Sequence, residues 1–124
     1  METNQSIFGT KADSIFAFDR RIRFVVLLTS DGKVTAEFGR PGVVSLEPRS
    51  EVETVYLKAT IAVSMSTPMD KFHGRMKTAI LVKEKVTIIC FNMMTGIMLI
   101  SADPGFELQK VEELGRLVDQ LSLG

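Results

Sequence analysis

Near the end of the chain the apolar residues fall on one helical stripe: Leu108, Val111, Leu114, Leu117, Val118 and Leu121. Glu107, Lys110, Glu112, Glu113, Arg116 and Asp119 occupy the other side. That spacing predicts an amphipathic helix, opened by Asp103-Pro104. A second stripe, Ile7, Phe8, Ala12, Ile15 and Phe16, predicts a helix over Ser6 to Phe18. A third follows Ser50-Glu51-Val52-Glu53, which has the spacing of a capping box with Ser50 at the N-cap. Its apolar positions are Val52, Val55, Tyr56, Ala59, Ala62 and Val63, with Ser66 at the end. Two alanines make this stripe small-sided, so the helix can approach a sheet closely. Thr67-Pro68 stops it, and a short extra turn ends at Gly74.

The remaining apolar runs have the length and β-branched content of strands. Ile22–Ser30 and Lys33–Phe38 flank Asp31-Gly32, a type I′ hairpin signal. Arg75–Lys83, Val86–Met93 and Gly96–Ala102 are joined by tight connections, which predicts an antiparallel meander. Three of these strands are apolar on both faces. In the first, Ile22, Phe24, Val26 and Leu28 alternate with Val25 and Leu27; in the fourth, Val86, Ile88 and Cys90 with Ile89 and Phe91. In the fifth, Ile97 and Leu99 alternate with Met98 and Ile100. Lys33–Phe38 and Arg75–Lys83 are mixed, with Met76, Ile80 and Val82 expected on one face of the latter. Doubly buried strands in an antiparallel sheet need helices on both sides, and mixed strands belong at the edges. The expected fold is α/β (α+β): elements α–β–β–α–β–β–β–α, with a five-stranded antiparallel sheet in the order 2-1-5-4-3. The expectation is one domain over residues 1–124.

That order and string of elements resemble the roadblock/dynein light chain domain, a relative of longin and profilin-like folds. The likeness rests on the hairpin around Asp31-Gly32, the helix from Ser50, the Arg75–Ala102 meander and the helix from Asp103. The segments FDRRIRF, SLEP and FHG also resemble a set of archaeal proteins. The resemblance implies first and last helices on one sheet face and the middle helix on the other. It implies a non-enzymatic module that dimerises through the middle helix and third strand, and it implies a Ras-like GTPase as partner. The short turn around Phe72 and Gly74 departs from the minimal pattern of that family.

Composition narrows the functional classes. Fifteen basic residues cancel fifteen acidic ones among 124 residues, so no net field favours nucleic acid or anionic lipid. One cysteine excludes an internal disulfide, and one histidine argues against zinc. Residues 1–9 lack a signal-peptide pattern, and no apolar run approaches the ~20 residues of a membrane span. The expectation is a cytoplasmic protein without a cofactor.

Candidate chemistry is sparse. His73 has Asp70 three residues before it but no nucleophile placed by the sequence. Cys90 sits mid-strand among apolar neighbours, the setting of an inert thiol. Glu47, Glu51 and Glu53 gather at a helix start, where negative charge suits the dipole. Arg20, Arg21 and Arg23 suit a helix C-terminus for the same reason. Gly39-Arg40-Pro41-Gly42 could form an anion nest, or offer Arg40 to a partner. Met93 and Met94 at a hairpin tip either pack over the sheet's end or meet a partner.

The longer edge strand lacks an internal proline and leaves backbone groups unpaired. A homodimer through Met76, Thr78, Ile80 and Val82, with Tyr56 and Met65 from the middle helix, would cover it. Two other classes stay open. One is a small-molecule sensor of PAS or profilin-like style, disfavoured because only Ser101, Thr78 and Asn92 put polar atoms at core positions. The other is an enzyme using His73 and Asp70.

Overall fold

A computed structural model describes residues 4–123, with side chains for 8–121, so Ile7 lies outside the described side chains. Helix α1 spans Asn4–Phe18, followed by β1 (Ile22–Leu28) and β2 (Val34–Gly39). Then come α2 (Val52–Ser64), a short α3 (Asp70–His73), β3 (Thr78–Val82), β4 (Thr87–Met93) and β5 (Gly96–Ala102). Helix α4 spans Leu108–Leu123. The sheet is antiparallel throughout, in the order β2-β1-β5-β4-β3. The mixed strands are its edges, as their polarity requires.

Two apolar layers sandwich it. Ala12 and Ile15 of α1 and Val111, Leu114 and Val118 of α4 pack on Val25, Leu27, Ile89, Phe91, Met98 and Ile100. On the opposite face Val52, Tyr56, Ala59 and Val63 of α2 pack on Val26, Leu28, Ile88, Cys90, Ile97 and Leu99. Gly115 lets α4 come close, since a Cβ there would stand 3.2 Å from Cε1 of Phe91.

Five local expectations are corrected. First, a bulge between Ile22 and Phe24 turns Ile22 to the α1/α4 face with Val25, away from Phe24 and Val26. Second, the hairpin turn is not type I′. Only Gly32 has positive φ there, at 91°. Its N–H donates to Thr29 O at 3.0 Å, while Thr29 N–H donates to Lys33 O at 2.8 Å. This is the wider turn with a left-handed glycine at its exit. The tip rests on α2: a Cβ on Gly32 would lie 3.1 Å from Leu57 Cδ1 and 3.3 Å from Thr60 Oγ1.

Third, Ser50 caps nothing. It lies inside a 3-10 turn, Arg49–Glu51, after Pro48, and Glu51 N–H donates to Pro48 O at 2.8 Å. The Val52 N–H that opens α2 donates to Arg49 O of that turn, with no side-chain cap. Fourth, Asp103-Pro104 does not open α4. Asp103 N–H donates to Arg21 O, and Gly105 turns the chain at φ 87°. The first α4 bond runs from Val111 N–H to Glu107 O, which leaves Leu108 67% exposed and off the buried stripe. Fifth, regular pairing of β3 starts only at Thr78. Met76 therefore packs on the α2 side with Ala79 and Leu81, while Ile80 joins the α1/α4 side.

Candidate functional site

The free edge of β3 has a defined parity. Asn92 N–H donates to Lys77 O at 2.8 Å and Lys83 N–H to Val86 O at 3.0 Å. Residues of an antiparallel strand alternate between facing the partner strand and facing away. Thr78, Ile80 and Val82 consequently direct their N–H and C=O groups outward from the sheet. The Val82 side chain is 79% exposed.

Helix α2 carries a second apolar line on its outer side, which begins at the β1–β2 hairpin tip. Leu57, Ile61, Met65 and Met69 recur every fourth residue, and Phe72 of α3 extends the line; all five are exposed, Met65 at 75% and Phe72 at 70%. The proline-initiated 3-10 turn Thr67–Met69 keeps the chain helical enough to carry the line from α2 into α3. Sequence reasoning singled out only Met65 from it. The signal was the four-residue repeat itself, adjacent to the core stripe and masked by it.

The other nominated contacts separate. Tyr56 belongs to the core, not to a surface: it is buried beneath α2 and its hydroxyl donates to Glu37 Oε2. Burial, then the Glu37 hydrogen bond and the Glu37 and Glu47 charges, push its phenol well above the ordinary range. Arg40 is turned onto its own chain. Its Nε donates to Ile22 O at 2.7 Å, and Nη2 donates to Phe16 O at 2.7 Å and Asp19 O at 2.9 Å. The guanidinium also lies 5.1 Å from the Phe16 ring centroid. It thereby serves the C-terminal carbonyls of α1, the task expected of the Arg20–Arg23 cluster. Arg21 instead pairs with Asp19 at 2.9 Å and Glu107 at 2.7 Å, and Arg23 with Asp103 at 3.2 Å. Met93 packs on the α1/α4 layer, whereas Met94 is exposed at the β4–β5 tip.

His73 is exposed at the end of α3, and its imidazole has no hydrogen-bond partner among the described residues. Burial raises the Cys90 thiol to about 11, which suppresses the thiolate. Among the described residues no three His, Cys, Asp or Glu side chains cluster for a metal, and no helix is long and apolar enough to cross a membrane.

A five-stranded antiparallel sheet in this order, with α1 and α4 on one face and α2 on the other, is the roadblock/LC7 fold. Solved structures of that fold superpose over most of the chain. The gliding protein MglB from Thermus thermophilus has a TM-score of 0.73 at 14% identity, covering 99% of this chain and 96% of its own. An MglB in a tetrameric arrangement gives 0.73 at 15%, covering 99% and 96%. A roadblock/LC7 domain from Streptomyces avermitilis gives 0.63 at 13%, covering 86% and 90%. No protein-family model and no curated protein matches the sequence. At these identities the likeness establishes fold.

Proposed function

We propose that the chain is a single-domain, non-catalytic interaction module that forms a homodimer and, as a dimer, binds a second protein. The observation that carries this reading is the unpartnered outward backbone of Thr78, Ile80 and Val82; the exposed apolar line Leu57–Ile61–Met65–Met69 on α2 supports it. Pairing β3 with its two-fold mate would satisfy the edge groups. It would also place the two α2 helices on one side of the joined sheet. An exposed apolar row of this kind marks an interaction surface. The tetrameric arrangement of one MglB is in keeping with self-association of the fold. A Ras-like GTPase as second partner rests on the family resemblance, and Met94 at the β4–β5 tip is the free apolar side chain it would meet.

The test is light scattering of wild type, Thr78→Pro and Ile61→Glu at matched micromolar concentration. Thr78 N–H faces away from β4, so proline removes an outward donor while leaving the internal ladder intact. A dimeric wild type and folded monomeric variants are expected. A monomeric wild type, or folded variants that dimerise as wild type does, would remove the proposal.

A further inference from the structure

A cavity of about 310 Å³ opens beneath the N-terminal turn of α2, away from β3. At about 30 Å³ per water it has the volume of roughly ten waters, enough for one ring with a short side chain. Its floor is apolar, formed by Val52, Val86, Ile88 and Leu99. Phe24 forms a wall, and Gly39 makes room for that ring: a Cβ there would stand 2.8 Å from Phe24 Cε1. Glu37, Glu47, Tyr56 and Ser101 add polar groups to the lining. Residues from β2, the following loop and α2 thus supply the polar groups that the core strands alone did not reveal.

The hydrogen-bond inventory gives the cavity a sign. Glu37 Oε2 accepts from Tyr56, but Oε1 has only Arg49 at 3.6 Å, and that side chain is 87% exposed. Glu47 Oε2 accepts from Ser45 at 2.6 Å, and its second oxygen has no partner among the described residues. The inward-lying cation, Arg23, is already engaged: Nη1 donates to Asp103 at 3.2 Å and Nη2 to Val44 O at 2.7 Å. The spare capacity is therefore acceptor capacity. Both carboxylate charges are also felt at the Tyr56 hydroxyl, where they outrank Arg49.

We propose that this cavity binds a small organic ammonium, its apolar part on Val52, Ile88 and Leu99 and its N–H groups on Glu37 and Glu47. Charge-assisted donation to a carboxylate favours a cation there. An organic anion would meet the two carboxylates and find no uncommitted inward cation. The ligand would displace Arg49, whose loose and solvated contact is easily exchanged. This inference is independent of self-association.

The test is a two-dimensional amide NMR titration of the full chain at neutral pH with phenethylammonium, phenylacetate and phenethyl alcohol. Saturable shifts confined to Phe24, Glu37, Tyr56 and Ser101 and their neighbours are expected for the ammonium. The other two probes should bind at least about tenfold more weakly, the scale of one charged hydrogen bond. Glu37→Gln should weaken the ammonium by a similar factor, and Glu47→Gln serves if that variant does not fold. Binding should persist in the Thr78→Pro variant, which separates this result from the fate of the dimer. No saturable shift with phenethylammonium, equal binding of phenylacetate or phenethyl alcohol, or unchanged affinity in a folded glutamine variant would overturn the proposal.

Discussion

Leu114→Ala is the sharpest probe of how α4 holds the sheet. Leu114 is 0% exposed, in the layer shared by Ile15, Ile89, Phe91 and Ile100. Truncation removes three carbons, a transfer loss of about 2 kcal/mol at roughly 0.8 kcal/mol per methylene. Paired strands on one side and α1 on the other limit collapse, so the residual void adds about 1–2 kcal/mol. A loss of about 3–4 kcal/mol is expected, a large share of a total of about 5–15 kcal/mol. The chain has no tryptophan, so urea unfolding is best followed by far-ultraviolet circular dichroism. All variants should be compared at one protein concentration, because self-association adds to apparent stability. The midpoint should fall with an unchanged m-value. Leu108→Ala is the internal control. Leu108 shares the sequence stripe but is exposed, so it should change stability by no more than about 0.5 kcal/mol. A loss below about 1 kcal/mol for Leu114→Ala, or equal losses at the two positions, would refute the placement of α4.

Cys90, 1% exposed with its thiol raised to about 11, should react with a thiol reagent only after denaturant is added; prompt reaction of the native protein would contradict its burial. Asp19 is held at about 2, below its ordinary 3.8, chiefly by the hydrogen bond from Arg21. Its contribution to stability should be complete above the unfolded value and disappear as pH falls from about 4 to about 2. Asp19→Asn should flatten the thermal-melting profile in that window, and an unchanged slope would show that the Asp19–Arg21 pair does not contribute.

The strand order was readable because burial leaves its mark on both alternating sets of a central strand. Ile88 and Cys90 against Ile89 and Phe91, and Ile97 and Leu99 against Met98 and Ile100, have no wet face and require a helix on each side. Features governed by one backbone hydrogen bond were not readable. Nothing in the composition of Ile22-Arg23-Phe24 announces a bulge, because either register leaves apolar side chains on both faces. Ser50 satisfies a capping pattern, but Pro48 offers its carbonyl to Glu51 first, and the 3-10 turn wins locally. Leu108 matches the helical period but stands at the exposed first position of α4. The candidate site divides along the same line. Thr78, Ile80 and Val82 follow from strand parity, whereas Tyr56 could be assigned to core or surface until its partner Glu37, 19 residues earlier, was in place.

The contact between the hairpin tip and α2 makes Gly32 a fulcrum. Because its Cα side faces Leu57 and Thr60 without a side chain between them, the height of that turn sets how deeply the middle of α2 seats over the sheet. Any residue larger than glycine would press on Leu57 and Thr60, which would have to give by a few tenths of an ångström, in addition to straining a φ of 91°. The outer line that begins at Leu57 would tilt with the helix, while the β3 edge, at the far side of the sheet, would stay where it is. The relative level of those two surfaces is thus geared to a single position on neither of them. In the dimer proposed above, substitution there would change the angle at which two copies meet without altering any residue that meets.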